Sequence, residues 1–261
     1  AAAIVCFVAL LCIGLLGIGP LAQYWVDADT ELSATTTSQH TIMYDKNGQQ
    51  FAEVWTEDRK EVSGLDKISE PMQKAIVSAE DKGFYDHGAI DVVATLRSIA
   101  TGSGGGSGIT QQLVKNLQYY DSSSTDESKA EATATTISRK LRELKLAMAY
   151  EQKHSKDEIL LEYLNTVAVG APNVYGVETA SETLFNKQAK DLTLGEAAAL
   201  AGSVNNPSLY NLRNLADKST YDRVKARQKY VLDRMLEDGY VNQREHDDAV
   251  NAQLTVNVQS R

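Results

Sequence analysis

Residues 1–22 form an apolar run with no charged side chain, and this run constrains the possible folds more than any other feature of the chain. It consists mainly of Ala, Leu, Ile and Val. A helix rises about 1.5 Å per residue, so about 20 such residues span a bilayer hydrocarbon core of about 30 Å. Tyr24 and Trp25 follow the run, where aromatic rings favour the membrane–water interface. The run therefore predicts a single transmembrane anchor.

A cleaved signal peptide is the alternative interpretation of this run. Its apolar core would normally extend over only about 7–15 residues, and the run observed here is longer. The chain has no Lys or Arg before Lys46, but it carries Asp27, Asp29 and Glu31. Because basic residues favour the cytoplasmic side of a membrane, this acidic flank predicts that the remainder of the chain lies on the outer face.

Charge and cysteine content exclude several classes of function. The formal net charge of −9 at pH 7 argues against nucleic-acid binding by the chain as a whole. Both cysteines, Cys6 and Cys12, lie in the apolar run, so the residues outside it have no thiol for a disulfide or a thiolate metal site. None of the four histidines lies at metal-ligand spacing from another, which argues against a metal site built from histidines.

Beyond the apolar run the pattern predicts a short β region and then a long helical region. Asn47-Gly48 separates two apolar-containing segments within residues 41–55, which indicates a β-hairpin because both residues accept positive φ. From about Glu70 apolar residues recur at steps of three and four, and Pro71 suits a first helical turn. Similar patterns predict helices from about Thr110 and over 137–150, 157–166, 194–204 and 221–236. Residues 102–108 are predicted to form a loop, and the polar residues 122–136 an inserted loop or weak helix.

Two segments carry groups suited to acid–base chemistry and to anion binding. Glu80 ends an apolar helical stretch, where partial burial would raise the pKa of its carboxyl and make it a usable acid or base. A solvated helix end is the alternative. The Gly-rich residues 104–108 lead into a helix whose N–H groups would attract an anion, and Lys115 lies farther along that helix. A flexible linker is the alternative there.

Two further segments are predicted to be helical. Arg139, Lys140 and Glu143 share one helix face because they lie three and four residues apart. Beside a cleft this face would receive phosphate, whereas on the surface it would carry only solvated ion pairs. The segment 156–165 has apolar residues at helical spacing and is interpreted as core rather than catalytic; these residues are Ile159, Leu160, Tyr163 and Leu164.

Taken together and in order, these segments resemble the glycosyltransferase domain (family 51) of class A penicillin-binding proteins and monofunctional peptidoglycan glycosyltransferases. The resemblance rests on five ordered motifs: Glu80-Asp81-x-x-Phe84-x-x-His87-Gly88, Gly106-Ser107-x-Ile109-Thr110-Gln111-Gln112-x-x-Lys115-Asn116, Arg139-Lys140-x-x-Glu143, Lys156-x-x-Ile159-Leu160-x-x-Tyr163-Leu164-Asn165 and Arg227-x-x-x-Val231-Leu232. It extends from about Thr41 to about Val250. The chain departs from the family pattern at Gly108, where Thr is usual, at Gln228, where a second Arg is usual, and in a longer segment over 117–138.

The resemblance implies a mainly α, lysozyme-like domain with a small β-hairpin element and one N-terminal transmembrane helix. The expected divisions are an anchor (1–22), a linker and hairpin region (23–69), a catalytic domain (70–250) and a C-terminal segment (251–261), cut short if the chain is the front part of a bifunctional protein. No Ser-x-x-Lys tetrad occurs, so the transpeptidase nucleophile of penicillin-binding proteins is missing from this chain. An apolar lobe that enters the bilayer is expected over 90–100, with a core helix as the alternative.

The resemblance also implies a reaction, peptidoglycan polymerisation at the outer face of a bacterial cytoplasmic membrane. The substrate of the family is lipid II, a disaccharide-pentapeptide joined through pyrophosphate to a polyprenyl chain. An acceptor 4-hydroxyl attacks the anomeric carbon of the growing strand, and polyprenyl pyrophosphate leaves with inversion. By position Glu80 is the base, and Glu143 positions cations or a divalent metal such as Mg²⁺, which the sequence does not require.

The resemblance assigns substrate binding to a set of polar, cationic and aromatic residues: Asp81, Phe84, His87, Ser107, Thr110, Gln111, Gln112, Lys115, Asn116, Arg139, Lys140 and Asn165. The implied partners are lipid II, the growing glycan strand, membrane lipid and proteins of a cell-division or elongation complex, with no nucleic acid. A lysozyme-like hydrolase and a non-catalytic scaffold of a cell-wall complex are the alternative functions. A hydrolase has no pyrophosphate to bind, so the cationic motifs favour the transferase.

Overall fold

The structure, a computed structural model, describes residues 41–54, 58–89, 107–120 and 137–258. The predicted anchor and linker before residue 41, the predicted lobe over 90–100 and the polar segment 122–136 lie outside the described residues, as does the Gly-rich stretch up to residue 106. Among the helices in the described ranges, none is both long and apolar enough to cross a membrane.

Helices make up most of the described chain, which confirms the mainly α class. They are α1 (Glu70–Glu80), α2 (Ile109–Tyr120), α3 (Ile137–Glu151), α4 (Lys156–Thr166), α5 (Val177–Phe185), α6 (Leu194–Ser203), α7 (Lys218–Glu237) and α8 (Gln243–Asn251). Short 3-10 turns lie at Leu65–Lys67, Ala189–Asp191 and Leu212–Asn214. The apolar spacing did not predict α5 or α8. In α8 only His246 and Ala249 are buried, too few residues to produce a periodic pattern.

Several helices begin where the local chemistry favours a helix start. Ser69 caps α1 by accepting the N–H of Met72, and Pro71 occupies the first turn, where its missing N–H costs nothing. Ser155 and Glu158 form a reciprocal capping box at the start of α4. Such a box satisfies two N–H groups that would otherwise lack an intrahelical partner. These starts depend on neighbours in sequence, so the sequence predicts them well.

The β elements are small. Strands β1 (Thr41–Tyr44) and β2 (Gln50–Val54) form the predicted antiparallel hairpin. Of the Asn47-Gly48 pair only Gly48 takes a positive φ, of 79°. The turn is held instead by Asp45 Oδ1, which accepts the N–H groups of Asn47 at 2.8 Å and Gln49 at 2.9 Å. A second, parallel pair joins β3 (Asp58–Arg59) to β4 (Val174–Tyr175).

The core brings two groups of helices together around the end of α1. Helix α6 packs against both α1 and α7, and α2 packs against α3 and α4. Residues 197–201 of α6 are buried and are four alanines and a leucine, which permits close approach of its neighbours. The fully buried Ile159, Leu160 and Leu164 confirm the interpretation of α4 as a core helix. The C-terminus of α1 and the N-terminus of α2 therefore lie side by side.

Candidate active site

Asp81 joins the end of α1 to the start of α2. It is the C-terminal capping residue of α1, and its side chain is buried. Its Oδ2 accepts the N–H of Ile109, the first residue of α2, at 3.0 Å. Its Oδ1 accepts the Nε2–H of His87 at 2.6 Å, and His87 Nδ1 donates to the carbonyl of Gly88 at 2.5 Å. A residue expected to bind substrate thus has both carboxylate oxygens engaged inside the protein.

Gly108 leaves room for the carboxylate of Asp81. A Cβ atom at position 108 would lie 2.6 Å from Asp81 Oδ2, which is far inside van der Waals contact. The carboxylate of Asp81 fills the space that a side chain at 108 would occupy. A side chain at this position would require the carboxylate of Asp81 to move.

Both ring nitrogens of His87 donate to oxygen acceptors, which defines its charge state. Burial disfavours the charged ring, but the bonds to the Gly88 carbonyl and to Asp81 outweigh it, so the pKa of His87 is raised above its ordinary value. The nearby ammonium of Lys156 acts in the opposite direction. His87 therefore strengthens the link between the first motif and the start of α2 when its ring is protonated.

Glu80 lies next to Asp81 in sequence but in a different environment. Burial is the largest influence on its carboxyl and raises the pKa above the ordinary value. A hydrogen bond from Gln112 Nε2 to Glu80 Oε2, 2.8 Å long, and the charges of Arg227 and Arg234 oppose this rise. A raised pKa makes the Glu80 carboxylate a stronger proton acceptor, which suits general-base catalysis.

The second and third motifs meet at the ammonium group of Lys140. It donates to Ser107 Oγ at 2.5 Å, to Gln111 Oε1 at 3.0 Å and to Glu143 Oε1 at 2.6 Å. Three acceptors match the three N–H groups of a lysine. Glu143 is only 3% exposed, and its other carboxylate oxygen accepts from Arg139. A buried carboxylate thus holds two cations at the edge of α3, against the start of α2.

Ser107 connects this cationic cluster to the carboxyl of Glu80. Its hydroxyl faces Lys140, and its carbonyl accepts from Gln112 Nε2 at 3.2 Å, the same group that binds Glu80. The structure therefore brings half of the predicted site residues into one continuous network of hydrogen bonds: Glu80, Ser107, Gln111, Gln112, Arg139, Lys140 and Glu143.

A second polar cluster lies beside this network. Glu151 Oε1 accepts from Thr110 Oγ1 at 2.5 Å and from Lys156 Nζ at 2.8 Å. The Lys156 ammonium also lies 4.6 Å from the centre of the buried Phe84 ring. Gln111 Nε2 donates to the carbonyl of Ala89 at 3.0 Å. Phe84 and Thr110 are thus buried beside the network, and Gln111 is buried within it.

Three of the predicted residues lie apart from this network, from the second cluster and from the Asp81–His87 pair. The amide of Asn165 is bonded to the backbone N–H and carbonyl of Val62, both at 3.0 Å, so it holds the segment before α1 against α4. Lys115 is exposed and Asn116 is half-buried, one turn beyond Gln111 and Gln112 on α2. Gln228, in place of the usual Arg, is buried and bonded to Lys225 and to the Gly195 carbonyl.

With this geometry established, comparison with known proteins identifies the family. A family model described as Transglycosylase matches residues 47–236. The chain belongs to the transglycosylase family. This match confirms the resemblance inferred from the five motifs.

Relatives of this chain include penicillin-binding proteins that are much longer than it. It is 33% identical over 267 residues to penicillin-binding protein 1A of Streptococcus oralis, an alignment that covers 98% of this chain and 39% of that protein. It is 36% identical over 258 residues to penicillin-binding protein 1A of Neisseria flavescens, with 94% and 29% covered. The chain thus spans well under half the length of these relatives.

A crystal structure of penicillin-binding protein 1A from Haemophilus influenzae also overlays on the chain. The overlay covers 87% of this chain and 22% of that one, with a TM-score of 0.46 and 19% sequence identity. An overlay this loose does not by itself assign a fold.

Within this transglycosylase, the sequence motifs did not assign a site role to several residues that contact or influence the network. Arg227 and Arg234 lie seven residues apart on α7, which is about two turns, and both lower the pKa of Glu80. Arg234 Nε donates to the carbonyl of Ser78 at 2.5 Å, on the turn of α1 just before Glu80. Their position on one face of α7 could have indicated from the sequence that they act together. No such indication existed in the sequence for Glu151 and the hydroxyl of Tyr163, because their partners come from other helices.

Proposed function

We propose that the chain is a peptidoglycan glycosyltransferase that polymerises lipid II into glycan strands and releases polyprenyl pyrophosphate. One observation carries the proposal. A partly buried carboxyl of raised pKa, Glu80, is joined through Gln112 and Ser107 to a cationic cluster on α3. A base and cations joined in one network match a transfer that deprotonates a hydroxyl and expels a pyrophosphate. Membership of the transglycosylase family supports the same reaction.

In the proposed step the Glu80 carboxylate takes the proton of the acceptor 4-hydroxyl. The oxygen then forms a bond to the anomeric carbon of the growing strand, while the bond from that carbon to the pyrophosphate oxygen breaks. The leaving group departs with the electron pair, and the configuration at the anomeric carbon inverts. General-base catalysis of this kind typically contributes about 10²–10⁴-fold.

The negative charge that develops on the pyrophosphate requires nearby cations. We assign this role to Arg139 and Lys115, which offer a charged group on α3 and on the exposed part of α2. Lys140 has three acceptors within the protein, so its main contribution is to hold Ser107 and Gln111 in position. Preorganised charge of this kind is often worth several kcal/mol in the transition state.

A divalent metal fits this donor set poorly. Each oxygen of Glu143 already accepts from a cation, Arg139 or Lys140. We therefore assign the balance of pyrophosphate charge to the protein's own cations.

The wider context follows from the same proposal. A lipid-borne substrate requires the site to lie at the membrane surface, which agrees with an anchor over 1–22 and a catalytic domain over 70–250 on the outer face of the bacterial cytoplasmic membrane. The mainly helical domain agrees with a lysozyme-like fold. The expected partners are lipid II, the growing strand, membrane lipid and proteins of a cell-division or elongation complex.

Polymerisation of labelled lipid II by the purified chain tests the proposal. Wild type should lengthen glycan strands, whereas Glu80→Gln should lose about 10²-fold or more of the rate because it removes the base but keeps size and hydrogen bonding. Glu70→Gln is the matched control, since Glu70 is an exposed carboxylate at the other end of the same helix, and it should keep full activity.

The alternative functions give different results in this assay. Shortening of isolated cell-wall glycan, with no growth of polymer from lipid II, would identify a hydrolase. A rate for Glu80→Gln within tenfold of wild type would remove Glu80 from the role of base. Absence of either activity in the wild type would favour a scaffold.

A further inference from the structure

The fully buried hydroxyl of Tyr163 lies at the far end of the network that reaches Glu80. It donates to Gln112 Oε1 at 2.9 Å, and Gln112 Nε2 donates to Glu80 Oε2 at 2.8 Å. Tyr163 belongs to the fourth motif, on the core helix α4, and touches neither the carboxylate nor the cationic cluster directly. Three helices, α4, α2 and α1, each contribute one member of this chain of groups.

The direction of these two hydrogen bonds follows from the neighbours of Gln112. Its Nε2 faces the Glu80 carboxylate and the carbonyl of Ser107, at 2.8 and 3.2 Å. Both are acceptors when Glu80 is ionised, so only the NH₂ end of the amide can face them. Oε1 then points at Tyr163 and needs a donor. A phenol can supply one, and no other orientation satisfies all four groups.

Tyr163 is well suited to hold this orientation. It is fully buried among Ile159, Leu160 and Leu164, which are themselves fully buried, so its hydroxyl has a fixed position. Burial, with smaller contributions from Glu80 and Asp81, raises the pKa of Tyr163 well above its ordinary value. The phenol therefore keeps its proton and remains a donor at any pH at which the protein functions.

We propose that Tyr163 is a positioning residue: its hydroxyl locks the Gln112 amide with the NH₂ end toward Glu80, and so keeps Glu80 in the ionised form that a base requires. The inference rests on the proposed role of Glu80. Without the lock the amide could turn over as soon as Glu80 is protonated, because a protonated carboxyl can donate to Oε1. The lock opposes the effect of burial, which favours the neutral acid.

Titration of Glu80 in the intact chain measures this effect without relying on activity. The probe is ¹³C-labelled glutamate followed by NMR, with the Glu80 signal assigned by its loss in Glu80→Gln. Tyr163→Phe should raise the pKa of Glu80 by about half a unit to one unit, which corresponds to the net value of one neutral hydrogen bond. The acidic limb of the kcat profile should move to higher pH by the same amount.

Two further variants separate the lock from a general effect on the core. Tyr150→Phe removes the hydroxyl of a half-buried tyrosine on α3 that donates to Glu162, and it should leave the titration of Glu80 unchanged. Gln112→Met removes the amide and should raise the pKa of Glu80 by about one to two units, since a bond to a charged group is lost. In the Gln112→Met background, Tyr163→Phe should cause no further shift.

Several outcomes would overturn the inference. An unchanged Glu80 titration in Tyr163→Phe would do so, and so would shifts that add fully in the double variant, because Tyr163 would then act by another route. If Tyr163→Phe fails to fold, an unchanged Glu80 pKa in Gln112→Met would show that the Tyr163–Gln112–Glu80 hydrogen bonds do not control the Glu80 pKa. Polymerisation retained by Glu80→Gln would instead refute the proposed base, and the titration would still report on the lock.

Discussion

Replacing Gly108 with alanine tests how the first and second motifs are joined. The new Cβ would lie 2.6 Å from Asp81 Oδ2, so the carboxylate must retreat by several tenths of an ångström. That oxygen accepts the N–H of Ile109 at 3.0 Å, and the same carboxylate binds His87. A residue nearer to the Thr usual in the family is therefore expected to destabilise this protein.

The magnitude follows from two opposing effects. Loss of a buried hydrogen bond to a charged group costs about 1.5–3 kcal/mol. Reduced freedom of the unfolded chain returns about 0.4–1 kcal/mol, since Gly108 has no positive φ that alanine would strain. The net loss is about 1–2 kcal/mol, and the melting temperature should fall by roughly 2–8 °C for a chain of this size.

Thermal unfolding followed by circular dichroism measures this change. Gly88→Ala is the matched control, because the nearest side-chain atom to a Cβ there is Glu151 Oε2 at 3.9 Å, and its stability should stay within about 0.5 kcal/mol of wild type. In an Asp81→Ala background the cost of Gly108→Ala should largely disappear, since the clashing group is absent. A Gly108→Ala protein as stable as wild type, or a cost that persists without Asp81, would refute this account of the junction.

Three further predictions address charge. Lys115→Ala and Arg139→Ala should each raise the KM for lipid II by about tenfold, because a charged contact is lost. Alanine at the exposed Lys218 is the control and should leave the KM unchanged. An unchanged KM in both Lys115→Ala and Arg139→Ala would show that the phosphate site lies elsewhere. The pKa of His87 is raised, so the contribution of His87 to stability is complete below pH 6.5 and is lost as the pH rises through the folded-state pKa. The difference in melting temperature between wild type and His87→Gln should therefore shrink over that pH range. A constant difference would contradict the assignment. EDTA should leave the polymerisation rate within about twofold, because the oxygens of Glu143 are held by cations; loss of activity restored by Mg²⁺ would show that a metal is required.

The sequence alone determined the elements whose signals are local. Apolar spacing predicted the core face of α4, and the hairpin and the start of α1 followed from Asn47-Gly48 and Pro71. The grouping of Arg139, Lys140 and Glu143 was also predictable, because side chains three and four residues apart on a helix are neighbours wherever the helix lies. The order of the five motifs was sufficient to indicate the family.

The tertiary structure decided which of these groups meet and what each one does. Asp81 and Glu80 are adjacent in sequence, yet Asp81 accepts the N–H of Ile109 whereas Glu80 accepts from Gln112, because the fold gives the two carboxylates different neighbours. The packing of α4 against α2 places Tyr163 beside Gln112, and Asn165 of α4 faces Val62 in the segment before α1. Hydrogen bonds act only over about 3 Å, so partners separated by many residues are set by helix packing, to which local sequence patterns contribute no information.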